Sequence, residues 1–151
     1  MNHNFKRNSY VLPFQVARFL FILPLLAIGC AHLFGSITYY DPTTYKNLTD
    51  LKPEVIMLYR TFTRDSIDSA KFDLVRLKLS QIYEYEKGKG SKNIETCKQV
   101  EIINKIYERH VKDRITNGKW NQTNLRDSIQ NISEAFDIAI QTEYLKNKNE
   151  P

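Results

Sequence analysis

Apolar residues recur every three or four positions along most of the chain after Tyr40, and alternation with a period of two is nearly absent. This spacing places apolar side chains on one face of an α-helix and does not suit a β-strand. The stripes expected to face a core are Val55, Leu58, Tyr59 and Phe62; Ile67, Ala70, Leu74 and Leu77; Cys97, Val100, Ile103, Ile106 or Tyr107, His110 and Val111; and Leu125, Ile129, Ile132, Phe136, Ala139 and Tyr144. The pattern predicts an all-α fold.

Capping residues predict where the first helices begin. Asp41 followed by Pro42 is typical of a helix start, because aspartate caps free backbone N–H groups and proline suits the first helical position. A short helix is expected there. A second start is expected at Thr49-Asp50, with Pro53 in its first turn, where a proline is tolerated.

Later boundaries follow from a polar stretch and from glycines. The polar residues 63–66 predict either a break or a kink close to the second stripe. Gly88 and Gly118 are expected to end helices, and Ser91 or Asn93 to cap the helix that lies between them.

The connections between these segments are short, and the chain of 151 residues suits a single domain. Short connections make consecutive helices antiparallel neighbours. The sequence therefore predicts an up-down antiparallel bundle of three to four helices over residues 42–147, followed by a polar tail at 148–151.

The N-terminal residues have a different pattern. A basic stretch ends at Arg18, an uncharged apolar run covers residues 19–28, and small Gly29 precedes Cys30. This is the layout of a secretory signal peptide, with a positive region, an apolar region and a small residue at the cleavage site. We therefore expect residues 1–29 to be a cleaved signal peptide.

The stretch Leu-Ala-Ile-Gly-Cys that ends at Cys30 resembles a bacterial lipobox, with Ala27 at the position most typical of leucine. The resemblance implies that the Cys30 thiol receives a diacylglyceryl group, that the leader is cut before this cysteine, and that the new amine is acylated. Residues 30–41 are then the lipidated cysteine and a short tether. By the same resemblance, Ala31 after the cysteine permits transfer to the outer membrane, on the side that faces the periplasm.

An uncleaved signal anchor is the alternative topology. Residues 19–40 contain only one strongly polar residue, His32, and about 20 apolar residues suffice to cross a bilayer. Against this topology, Pro24, Gly29 and Gly35 all weaken a helix. The small residue directly before a cysteine also favours the lipobox.

The net charge of +5 is unevenly distributed. Residues 1–29 contain three basic residues and no acidic one, so the remainder has 19 basic and 17 acidic residues, a net charge of +2. A folded body so close to neutral lacks the basic surface that nucleic-acid binding needs. We expect no nucleic-acid partner.

One segment could carry acid–base chemistry. His110 and Asp113 lie one helical turn apart, and Glu108 is close to both, so a base and an orienting carboxylate could meet. The same letters contain the oppositely charged pairs Glu108–Lys112 and Arg109–Asp113, which favour a solvated helix face. Since His110 also falls at the edge of an apolar stripe, a structural histidine is the preferred interpretation.

Two further features have plain structural interpretations. The turn from Gly88 to Ser91, Gly-Lys-Gly-Ser, could hold an anion, but the phosphate-binding pattern is incomplete and no strand precedes it. We expect a turn and a helix cap. Cys97 has no disulfide partner if Cys30 is acylated, and is expected to be a small buried residue.

The Glu-x-x-His pairs of di-iron bundles and the C-x-x-C-H haem motif are absent, so the sequence predicts no catalytic, cofactor or metal residue.

Three functions fit these observations. The first is a lipid-anchored helical protein of the bacterial envelope, bound to the membrane through Cys30, that acts by contact with an envelope protein. The second is a carrier of a small ligand between its helices. The third is an envelope hydrolase that uses His110 and Asp113. We favour the first, because the lipobox is the most specific pattern in the chain.

Overall fold

A computed structural model describes residues 39–147, and within them the chain forms four α-helices and no strand. The helices are α1 (Pro42–Arg60), α2 (Ser69–Gly88), α3 (Ile94–Asn117) and α4 (Gln122–Asn147), with 3₁₀ turns at Thr61–Thr63 and Ser91–Asn93. Each helix packs against the next, and α1 also packs against α4. The predicted all-α bundle is confirmed. None of the helices in this part of the chain is both long and apolar enough to cross a membrane.

Contacts at the ends of the helices confirm the up-down arrangement. Near the starts of α1 and α3, Thr44 bonds to Glu86 of α2, and Thr96 bonds to Glu143 of α4. Both glutamates lie near the ends of their helices. We call this the polar end of the bundle. The opposite end, where α1 and α3 finish, is rich in aromatic side chains, and we call it the aromatic end.

Helix α1 begins where the sequence predicted but does not break where a second start was expected. The Asp41 side chain caps it by accepting hydrogen bonds from the backbone N–H groups of Thr43 at 2.8 Å and Thr44 at 3.4 Å. The helix then continues through Pro53, which lies on the exposed face. The predicted start at Thr49 is wrong, because buried side chains continue at helical spacing across the proline: Leu48, Leu51, Val55 and Leu58.

Helix α2 buries a different face from the one predicted. The expected stripe is exposed: Leu74 and Leu77 have 50% and 54% of their surface in solvent, and Ile67 lies ahead of the helix. The core side of α2 is instead formed by Phe72, Val75, Leu79 and Ile82, followed by Glu86. Both faces have helical spacing, so periodicity could not separate them. The predicted interruption at 63–66 is confirmed as a break.

Two glycines make the later turns. Gly90 and Gly118 have φ values of +78° and +84°, a region that other residues rarely adopt, and Gly118 ends α3 as predicted. The turn after it is fixed by the backbone N–H of Trp120, which donates to the carbonyl oxygen of Phe62 at 2.9 Å. This bond holds the α3–α4 connection against the turn that follows α1.

Candidate functional site

The lipidation site predicted at Cys30 lies outside the described residues. So do the predicted leader, residues 1–29, most of the tether and the tail at 148–151. The structure first describes the chain at Tyr39, two residues before the cap of α1. Lipidation and cleavage therefore stay predictions.

His110 and Asp113 do not form the pair that acid–base chemistry would need. Nδ1 of His110 shares a 3.1 Å hydrogen bond with the hydroxyl of Tyr59. Asp113 accepts hydrogen bonds from Nε1 of Trp120 at 2.7 Å and from Asn117 at 2.6 Å. The side chain that would orient a base is thus occupied in holding the indole. Both residues border an open cleft of about 390 Å³, whose other lining residues are Arg109, Asn124, Asp127, Ser128 and Asn131.

The ion pairs predicted along this segment are also replaced by contacts between helices. Glu108 pairs with Arg76 of α2 through both its oxygens, at 2.6 and 3.0 Å. Arg109 donates to the side chain of Asn131 on α4 at 3.3 Å. The charged side chains of this segment therefore connect α3 to α2 and α4, and do not form the expected pairs within the helix.

His110 is part of the aromatic end. Its ring meets Tyr59 and Trp120 edge-on, with centroids 5.5 and 5.8 Å apart, and only 8% of the residue is exposed. The prediction that His110 lies at the margin of the core is confirmed by these contacts. Its neighbours in the cluster pack on one another as well, with the centroids of Phe62 and Trp120 4.7 Å apart.

We expect acid to weaken the fold through His110. Burial lowers the pKa of His110 to about 4; Arg109 acts in the same direction and Asp113 opposes it. The unfolded chain takes up this proton near pH 6.5, so stability that is present above pH 6.5 is lost as the pH falls towards 4. The loss is at most about 3 kcal/mol.

Urea unfolding of the wild-type chain and of His110→Gln at pH 7.5 and pH 4.5 measures this loss. The difference in unfolding free energy between the two pH values should be smaller in the variant by about 2–3 kcal/mol. Equal losses in the two proteins would show that His110 does not carry the effect.

The glycine-rich turn does not present its lysine to an anion. Nζ of Lys89 points into the bundle, where it lies 2.7 Å from the carboxylate of Asp41 and 3.0 Å from that of Glu86. Burial opposes its charge, but these two carboxylates raise the pKa of Lys89. Gly88 ends α2 and Gly90 turns the chain, so the prediction of a turn is confirmed.

The predicted cap at Asn93 has another role, because its side chain turns into the polar end. Its amide donates to Glu86 and its oxygen accepts from Lys146 at 2.7 Å.

Cys97 is half-buried, and burial, followed by the charge of Glu86, raises the pKa of its thiol.

A mostly buried network of charged and polar groups occupies the polar end, and sequence reasoning missed it. It brings three carboxylates together with two lysines, and it uses all four helices. We call it the polar network; its members are Asp41, Thr44, Tyr85, Glu86, Lys89, Asn93, Thr96, Glu143 and Lys146.

Lys146 and Glu143 form the innermost pair. Glu143 is fully buried and Lys146 is 7% exposed, with the ammonium 2.7 Å from the carboxylate. Nζ of Lys146 donates in addition to Asn93 at 2.7 Å and to Thr96 at 2.8 Å. A buried charge is tolerated when its hydrogen-bonding capacity is filled in this way.

The chain enters the bundle through this network. The backbone N–H of Asp41 donates to Oε1 of Glu143 at 2.8 Å. The Asp41 carboxylate accepts from Tyr85 at 2.7 Å and from Lys89. Burial alone would raise the pKa of Asp41, but the bonds from Lys89, Tyr85 and Thr43 hold it well below its usual range. The residue that starts α1 is thus bound to α2 and α4.

The sequence did contain a signal for the network. Glu86 follows the buried Ile82 by four positions, and Glu143 follows Ala139 by four, so each continues an apolar stripe. The stripe predicted for α4 ended on Tyr144, which is 41% exposed. A charged residue in register with a core stripe is the pattern that could have revealed the network.

Metal binding and known relatives add no further site. Within residues 39–147, no three His, Cys, Asp or Glu side chains are grouped as a metal ion would need. No family model matches the chain, and neither a curated protein nor a solved structure matches it. A function must therefore be argued from the residues themselves.

Proposed function

We propose that this chain is a lipid-anchored helical protein of the bacterial envelope that acts by contact with another envelope protein. The observation that carries the proposal is the small residue and cysteine at positions 29 and 30, directly after a basic and then apolar leader. A single acyl chain gives marginal binding to a membrane, whereas two or more hold a protein stably. A Cys30 with a diacylglyceryl group on its sulfur and an acyl group on its amine meets that condition.

The polar network supports an anchor close to the body. Residues 30–41 can extend over about 40 Å at most, and the last of them, Asp41, is bound to Glu143 and Lys89. The tether therefore ends on a fixed point of the bundle. We propose that the polar end faces the outer membrane and that the helices project into the periplasm.

The contacts of the candidate catalytic residues favour a contact function over hydrolysis. His110 bonds to Tyr59 and Asp113 bonds to Trp120, so each already has a structural partner. The clefts described on the body are open to solvent, whereas a small-ligand carrier needs an enclosed apolar cavity. Exposed apolar side chains on the helices, such as Ile102 and Ile138, suit protein contact.

Chemical cross-linking in intact cells tests this proposal. We expect the full chain to be captured with a defined envelope protein, and His110→Gln to be captured with the same protein in equal yield. A hydrolase predicts the opposite, since the histidine variant would lose activity on envelope material at unchanged abundance. That outcome, without any captured protein, would refute the contact function.

A further inference from the structure

Helix α2 has a second apolar face that nothing in the described chain covers. Ala70, Leu74 and Leu77 point away from the core and are exposed. They lie four and then three positions apart, which is the spacing of the contact positions in a pair of coiled helices. This face is distinct from the buried stripe that begins at Phe72. We call it the outer face of α2.

The outer face has a basic edge and an acidic edge. On a helical wheel Lys71 and Lys78 fall on one side of the two leucines, and Asp73 falls on the other. In a coiled coil these flanking positions form ion pairs between helices and decide which partner and which orientation are accepted. The charged residues at the two edges of the outer face therefore indicate which kind of helix pairs with it.

We infer that the outer face pairs with the same face of a second copy of this chain, with the two α2 helices parallel. In a parallel pair the acidic edge of one copy lies beside the basic edge of the other, so that Asp73 meets the partner copy's Lys78, five positions further on. An antiparallel pair would bring like edges together, so that Lys78 would face a lysine of the other copy's basic edge. The charges favour the parallel arrangement and a second copy as the occupant.

The bonds that these charges make within one copy are weak enough to be exchanged. Lys78 pairs with Glu54, and the two side chains are 37% and 42% exposed. Asp73 pairs with Arg76, and these are 71% and 39% exposed. Exposed pairs contribute little net stability, and the groups released on exchange remain in water.

A parallel pair also places both polar ends on the same side. Each copy's chain enters at that end through Asp41, so both tethers can reach one membrane. The apolar contact involves only Ala70, Leu74 and Leu77 of each copy, so it is smaller than a standard protein–protein interface, which buries about 1,200 Å² or more. Pairing then rests on the proposed anchor, because confinement at a membrane raises the local concentration of the copies.

Photo-cross-linking of the full chain in cells tests the pairing. A benzophenone amino acid replaces Leu77 in one variant and Ile138 of α4 in the control; the two positions are 54% and 59% exposed. We expect a cross-linked species of twice the chain mass from position 77 at a yield at least about fivefold higher than from position 138. Equal yields, or a cross-link from position 77 to a different protein, would overturn the inference.

Charge reversal tests the orientation. Asp73→Lys and Lys78→Glu should each lower the yield of the cross-link from position 77 at least about fivefold, because each sets two like-charged pairs against each other. When the two variants are expressed together, every pair is again of opposite charge, and the yield should return. Failure of the mixture to recover would contradict the parallel pairing.

Fractionation of the same cells separates this inference from the proposed anchor. If the cross-link from position 77 is absent although the chain is found in the membrane fraction, the pairing alone is refuted. A chain found in the soluble fraction, without the cross-link, refutes the anchor and the pairing together.

Discussion

Lys146→Met should lower the free energy of unfolding by about 3–5 kcal/mol. Methionine replaces most of the unbranched lysine side chain but lacks the ammonium group, which donates to Glu143, Asn93 and Thr96. Glu143 is fully buried, so its carboxylate would be left with less compensation and no access to water. Removing one partner of a buried ion pair is costly for this reason. Urea unfolding at pH 7 measures the change.

The chain offers a matched control in Lys98→Met. Lys98 and Glu95 have the same residue types and spacing as Lys146 and Glu143, but their side chains are 56% and 69% exposed. This substitution should change the unfolding free energy by less than about 0.5 kcal/mol. Similar losses in the two variants would show that burial of the pair does not matter.

A double substitution checks the mechanism further. If the loss in Lys146→Met comes from an uncompensated carboxylate, then Glu143→Gln in the same chain should restore part of it, because a neutral amide is less costly to bury. A double variant less stable than Lys146→Met would indicate that packing of the lysine chain, and not charge, is what the network supplies.

Cys30→Ala should abolish lipid attachment completely. The lipobox resemblance implies that the thiol of Cys30 receives the diacylglyceryl group and that the leader is cut directly before this residue, so we expect both steps to require the cysteine. The variant should therefore incorporate no fatty-acid label and should retain residues 1–29, giving a larger chain on a gel. Labelling of growing cells with an alkyne fatty acid, followed by gel analysis, measures both effects.

Cys97→Ala is the control for this experiment, since Cys97 is the other cysteine of the chain. Its thiol is half-buried within α3, and we expect wild-type labelling and wild-type mobility. Label that persists in Cys30→Ala, or that disappears only in Cys97→Ala, would show that the lipid is not attached to Cys30.

The sequence predicted the helices better than it predicted their faces. Asp41 and Gly118 are local signals, since a cap and a positive φ depend on a few neighbouring residues, and both were placed correctly. The face that α2 buries depends on what lies opposite. Phe72 is buried against Phe62, with ring centroids 5.3 Å apart, and that contact joins separate helical segments across a turn. Periodicity within one helix carries no such information.

The polar network was not predicted because charged residues were expected to lie on solvent-exposed helix faces. Lys146 belonged to none of the predicted apolar stripes and falls just before the predicted polar tail, yet it is buried against Glu143. In the same way, the predicted pairs around Glu108 assumed a helix surface, whereas Arg76 reaches it from another helix. Burial of a charge requires partners from distant parts of the sequence, so it becomes visible only once the helices are packed.

The measurement that tests the central claim most directly is mass spectrometry of the N-terminus of the protein isolated from its native cells. Our account predicts a mature chain that begins at Cys30, with a diacylglyceryl group on the sulfur and a fatty acyl group on the amine. A chain that begins at Met1 and still carries residues 2–29 ahead of an unmodified Cys30 would contradict it.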